Sequence, residues 1–67
     1  MKANKRKLEI AMARECMSAE DLRATSRMPR TTVNNVIEGR SVRPATIGRI
    51  AKALGVDVTE ILEDEAH

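Results

Sequence analysis

Apolar residues recur along this chain mainly at intervals of three and four, the period of helices that bury one face. Leu8, Ala11 and Met12 mark the first such stripe among Lys and Arg, and predict a helix over 4–15. Ser18 predicts a second over 18–26. Its hydroxyl can cap the amides of the next turn, Glu20 and Asp21 suit the positive helix end, and Leu22 faces inward. Pro29 reopens helical geometry, because its fixed φ fits a first turn and its missing N–H would be unpaired there anyway. Val33, Val36 and Ile37 then mark the buried stripe of a helix over 29–38, and Gly39 stands where a left-handed residue ends it. After the polar connection 40–43, Pro44 opens a helix over 44–54, with Ile47, Ile50, Ala51 and Leu54 on one face and Gly55 as its stop. Gly48 inside it costs about 1 kcal/mol relative to alanine unless a close contact needs the missing side chain. Asp57 with Glu60 reads as a capping pair for a short fifth helix over 58–63 carrying Val58, Ile61 and Leu62. Beyond Leu62 the tail is expected to fray. The fold class is all-α: five helices around Leu8, Met12, Leu22, Val33, Val36, Ile47, Ile50, Leu54 and Ile61.

Composition sharpens this picture. The 67 residues make one small domain, too short to form a cleft between domains. Phe, Trp and Tyr are absent although hydrophobic residues make up 42% of the chain, so the core is built from Leu, Ile, Val, Met and Ala. Without aromatics the chain lacks the stacking platforms of single-strand binders, which excludes RNA-recognition and OB-type readings. The formal charge of +2 is unevenly placed: all 12 Lys and Arg precede Asp57, whereas half of the 10 acids lie from Asp57 onward. A basic body points to a polyanionic partner, with a solvated charged surface as the alternative.

Cys16 is the only cysteine and His67 the only histidine, so neither an internal disulfide nor a Cys/His metal cage can form, and no metal or cofactor is expected. Cys16 is expected to be a small buried thiol at a helix end, and a lone thiol suits a reducing cytosol. No run approaches the roughly 18–20 apolar residues of a membrane span, so a cytoplasmic protein with no membrane partner is expected. Enzymatic readings do poorly: Glu20 and Asp21 are adjacent and diverge on a helix, and no Ser/His/Asp or Cys/His set can be assembled.

The stretch from Met17 to Gly39 carries the functional signal. Two short helices joined by about three residues form a helix-turn-helix, in which the second helix enters the DNA major groove. The string MSAEDLRATSRMPRTTVNNVIEGRSVRPATIGRIAKALGVDVTEIL resembles the lambda-repressor and Cro-like helix-turn-helix family, also called the xenobiotic-response-element family. The resemblance runs without gaps over 8–62. Its most specific pieces are Leu22, MPRTTV, Gly39, Pro44 and IAKALGV. It implies a compact five-helix DNA-binding domain spanning 1–67, with a core over 8–62 and an acidic tail over 63–67. It also implies sequence-specific binding of double-stranded DNA, in a small bacterial or phage transcriptional regulator of the repressor kind. The competing reading is an antitoxin or protein-interaction module of the same fold, with a protein partner docked on aliphatic surface of helices 4 and 5.

Three departures from the family's pattern stand out. Arg27 occupies a turn position that is usually glycine, and a positive φ there would store strain of order 1 kcal/mol. Cys16 stands near another common glycine position. Met12 and Ile37 replace an arginine and a glutamate that many relatives pair, so an apolar contact is expected in place of an ion pair.

With Val33, Val36 and Ile37 on one side of helix 3, Thr31, Asn34, Asn35 and Glu38 lie toward the other, and Arg30 stands near the exposed N-terminus. Arg can donate twice to guanine O6 and N7, Asn can pair with adenine, and Thr offers a hydroxyl and a methyl. Arg30, Thr31, Asn34 and Asn35 are therefore the candidate base readers, and Arg30, Thr31 and Asn35 stand at positions that also read bases in the relatives this chain resembles. Asn34 is the one of these that could equally touch phosphate. Ser18 with the first amides of helix 2, and Arg40, Ser41 and Arg43 before helix 4, are the candidate phosphate contacts. Lys2, Lys5, Arg6 and Lys7 are either an arm or helix start that adds nonspecific attraction, or a plain solvated charge run. A homodimer is expected through the end of helix 4 and helix 5, with Val56, Val58, Ile61 and Leu62 as candidate interface residues.

Overall fold

Helix ends decide where this short chain turns, and each end has an identifiable device. A computed structural model describes residues 1–63. Among them are four α-helices: α1 (Lys5–Arg14), α2 (Ala19–Ser26), α3 (Arg30–Ile37) and α4 (Pro44–Leu54). The expected fifth helix is a single 3-10 turn, Val58–Glu60. The Asp57–Glu60 capping box forms as the spacing predicts, but Ile61 leaves helical geometry at φ −120° and Leu62 pairs with a distant segment instead.

Asn4 opens α1 by accepting the Lys7 N–H, and Ser18 opens α2. At the other ends, Cys16, Gly39 and Gly55 all adopt left-handed backbone after α1, α3 and α4. In each case the next amide reaches back five residues: Met17 N–H to the Met12 carbonyl, Arg40 to Asn35, Val56 to Ala51. These bonds satisfy carbonyls that a helix C-terminus otherwise leaves open. The turn after α2 is simpler. Arg27 sits at φ 58°, ψ 40°, and its N–H donates to the Arg23 carbonyl. Arg27 and Cys16 thus hold left-handed positions without being glycine, and a side chain there costs roughly 1–2 kcal/mol.

Leu8, Leu22, Val36, Ile47, Ile50, Leu54 and Ile61 are fully buried, and Val33 nearly so. α2 packs on both α3 and α4, while α1 meets α3 and the 3-10 turn. Met12 and Ile37, the pair that replaces charged residues of relatives, are half-buried against this core. Met12 is therefore at the core's edge rather than inside it. Cys16, expected to be buried, is exposed. It stands in the left-handed turn after α1, at φ 55° and beyond the helix's last residue.

Core residues outside the helical stripes are Ala3 and Met28. Ala3 is buried because the extended segment ahead of α1 pairs with the chain beyond the 3-10 turn. Ala3 bridges Leu62, the Asn4 N–H donates to the Ile61 carbonyl at 2.7 Å, and the Glu63 N–H donates to the Lys2 carbonyl at 3.0 Å. Fraying therefore does not begin at Glu63. Residues 64–67, which include the rest of the acidic tail and His67, lie outside the described residues. No helix among the described residues is long and apolar enough to cross a membrane.

Candidate nucleic-acid interface

α3 presents its polar face because Val33 and Val36 anchor the other one at 1% and 0% exposure. Arg30, Thr31 and Asn34 are exposed on that face, and Asn35 lies half-buried at its edge. Four residues expected to contact bases are thus brought to one helix of eight residues. The end of α3 leads directly into the segment expected to grip phosphate. The Arg40 N–H closes on the Asn35 carbonyl at 2.9 Å, and Arg40, Ser41 and Arg43 all remain exposed.

This connection is held from behind. Met1 and Val42 exchange two hydrogen bonds, Met1 nitrogen to Val42 carbonyl and Val42 nitrogen to Met1 carbonyl, each 2.7 Å. Val42 is half-buried as a result, while its neighbours face outward. The segment 1–4 is therefore a brace between the 40–43 connection and residues 61–63, and Lys2 belongs to that brace rather than to a free arm. Lys5, Arg6 and Lys7 form the first turn of α1, which contains no acidic residue of its own, and Lys7 Nζ donates to the Leu62 carbonyl at 3.5 Å. Cations in a first turn oppose the helix dipole.

The helix N-termini differ sharply in what occupies them. At α2 the Ser18 side chain accepts the Asp21 N–H, while the Asp21 carboxylate accepts from both the Ser18 N–H and its hydroxyl at 3.0 Å. Those bonds hold the Asp21 carboxyl below the usual carboxylate range, the Ser18 N–H contributing most. Glu20 adds a second negative charge to the same turn, and the guanidinium of Arg23 keeps it ionised below its usual range. The Ser18 N–H and hydroxyl are thus taken by the chain's own carboxylate, and the Asp21 N–H by the Ser18 hydroxyl. α3 and α4 begin differently: Pro29 and Arg43 stand at their starts with no side-chain cap and no acid in the first turn. Their positive ends carry Arg30 and Arg43 instead. Residue identity at Ser18 signalled a cap and an anion site equally well, and the spacing to Asp21 was the sign that the cap had its own partner.

Two cations of the face are paired within the chain. Arg30 Nη2 lies 3.4 Å from Glu20 Oε2, and Arg40 Nε donates to Glu38 Oε1 at 3.1 Å. Neither pair was apparent from helical spacing, since one crosses the turn and the other follows a helix end. Away from this face, Arg14 pairs with Glu60 at 3.3 Å and ties α1 to the 3-10 turn.

The expected interface at the far end changes in content. Ile61 is fully buried within the chain and cannot line a surface between copies. Val56, Val58 and Leu62 stay half-buried, and the brace formed by residues 1–4 covers part of this end. The large hydrophobics that stand out in solvent are Met1 and Ile10, 44% and 51% exposed. Among the described residues no group of three or more His, Cys, Asp or Glu gathers to hold a metal ion.

Comparison with known proteins supplies the context for this geometry. A family model described as the Cro/C1-type HTH DNA-binding domain matches residues 7–67. No curated protein and no solved structure matches the chain.

Proposed function

From the premise that this chain belongs to the Cro/C1-type helix-turn-helix DNA-binding family, we propose that it binds double-stranded DNA sequence-specifically, with α3 in the major groove, as a small transcriptional regulator that represses by occupying its site. The observation that carries the reading is the exposed set Arg30, Thr31 and Asn34, with Asn35 at its edge, on a helix whose opposite side is locked into the core. Arg30 and Asn35 supply bidentate donors for guanine and adenine edges, and Thr31 offers a hydroxyl and a methyl group. Arg43 and Arg40, with Ser41, hold the backbone and set the register of α3. The start of α4 adds the uncapped Ala45 N–H, since Pro44 has none and the Thr46 N–H donates to the Arg43 carbonyl. Ser18 makes at most a minor contribution, because its hydroxyl is engaged by Asp21.

One recognition helix touches only a few base pairs, so a two-fold pair reading half-sites about 34 Å apart accounts better for specificity. Val56, Val58 and Leu62 are the residues through which two copies would meet. A bacterial or phage cytoplasm suits such a regulator, and the whole of 1–67 acts as one domain in this reading.

The test begins with DNA selected from a random pool at stated salt. Asn35→Ala or Arg30→Ala is expected to lose roughly 1–3 kcal/mol on the selected operator and little on random duplex. Arg43→Ala weakens both, and makes the slope of log K against log salt shallower by about 1. Equal losses on both DNAs for the Asn35 and Arg30 variants overturn base reading by α3. Sedimentation showing only monomer, with footprints over one non-palindromic half-site, overturns the dimer.

A further inference from the structure

Glu20 sits on the exposed side of α2, yet its carboxylate spans the helix-turn-helix. One oxygen accepts from Arg23 Nε at 3.0 Å on its own helix, and the other faces Arg30 Nη2 across the turn. The Arg30 side chain is 70% exposed, and Glu20 is its only ion-pair partner among the described residues. Among the described residues no other hydrogen bond or ion pair orients that guanidinium. An arginine on a free stem gives up rotamer freedom in any fixed contact, and it takes a phosphate as readily as a guanine edge. A carboxylate holding one nitrogen restricts the plane of the group and leaves the remaining N–H donors for a base.

We propose that Glu20 is a specificity-determining residue of the DNA surface, a positioning residue that acts through Arg30. It sets the guanidinium for a guanine edge, and its own charge disfavours the phosphate contact that Arg30 would otherwise make. This rests on Arg30 reading a base, as proposed above. In water an ion pair this exposed does little for stability. Inside a groove that excludes water the same pair is stronger, so its effect appears on bound DNA rather than in the free protein.

The face also contains an internal contrast. Glu38 pairs with Arg40, a candidate phosphate contact, in the same way that Glu20 pairs with Arg30. A carboxylate on a phosphate-gripping arginine competes with every DNA alike, whereas one on a base-reading arginine separates one DNA from another.

Dissociation constants for the wild type, Glu20→Gln, Arg30→Ala and the double variant, on the selected operator and on random duplex at one salt concentration, test the proposal. Glu20→Gln is expected to lower the operator-to-random affinity ratio by about fivefold, the upper end for an exposed ion pair. In the Arg30→Ala background the same substitution leaves the ratio unchanged. Glu38→Gln tightens both DNAs by a similar factor and leaves the ratio alone. If Glu20→Gln tightens both DNAs equally, or lowers the ratio as much without Arg30 as with it, the proposal is overturned while Arg30 stands as a base reader. If Arg30→Ala itself leaves the ratio unchanged, the base reading fails and the proposal with it. A melting curve for Glu20→Gln that overlays the wild type assigns the change in ratio to recognition rather than folding.

Discussion

The N-terminus of α2 and the N-terminus of α4 are capped differently. At α2 a serine and an aspartate close the helix on itself, and a second acid stands in the same turn. At α4 a proline enters the first turn behind Arg43, with no cap and no acid. The first arrangement closes the Ser18 and Asp21 amides into a capping box. The second leaves the Ala45 amide uncapped beside a cation at the positive end of the helix dipole, since Pro44 has no N–H and the Thr46 N–H donates to the Arg43 carbonyl. α3 follows the open pattern, and it is the helix that carries the candidate base readers.

Leu22→Ala breaks the comparison at its root, because α2 packs against both α3 and α4. Removing this fully buried side chain is expected to cost roughly 2–4 kcal/mol, a large fraction of the stability of a small domain, and to abolish both folding and DNA binding at moderate denaturant. Urea melting of this variant within error of the wild type contradicts the central position given to α2.

Ser18→Ala separates the two kinds of helix end. It is expected to cost about 1 kcal/mol in thermal or urea unfolding and to leave the operator-to-random ratio where it was. A comparable loss of DNA affinity in a still-folded variant would show that Ser18 grips phosphate after all. The acid limb of stability tests the same box. Asp21 and Asp57 have carboxyl groups held below their ordinary range by N–H donors, so their contribution is fully present above the unfolded aspartate range and is lost as pH falls through the folded one. Ser18→Ala removes the hydroxyl's share and keeps the backbone N–H, so it is expected to flatten that acid limb in part, which melting temperatures measured from pH 5 downward reveal.

Gly48→Ala strengthens α4 without touching its start. A Cβ at Gly48 meets nothing within 4 Å, so the close contact that would justify glycine is absent. A gain of roughly 0.5–1 kcal/mol in stability with unchanged DNA affinity is expected. Ala45→Glu does the reverse experiment on the open end itself. An acid in that first turn favours the helix by a few tenths of a kcal/mol, yet it is expected to weaken binding to operator and random DNA alike. Unchanged affinity for both DNAs would show that the α4 start takes no part in holding phosphate.

The local elements were legible in the sequence because their causes are local. Ser18 with Asp21, Pro29, Gly39, Pro44 and Gly55 mark helix boundaries within a residue or two of where they fall. The stripes Val33–Val36 and Ile47–Ile50–Leu54 mark the buried faces. Arg30, Thr31 and Asn34 were legible for the same reason, since a helix with one buried face must show the other. Chemistry was less legible at Ser18, whose hydroxyl suits two roles and takes Asp21 as its partner within the chain.

What the sequence by itself determined is the set of four helices, their inward faces and the presence of a helix-turn-helix, all of which follow from periodicity and from residues whose backbone preferences act within a turn. Tertiary structure alone decided the rest. The pairing of Ala3 with Leu62 converts an expected fifth helix into one 3-10 turn and a bridge, and it buries an alanine that no stripe contains. The hold of Met1 on Val42 fixes the connection beside α3, and Glu20 meets Arg30 across ten residues of chain. Such contacts depend on where separate segments come to lie, and periodicity, which compares a residue only with its near neighbours, carries no record of them.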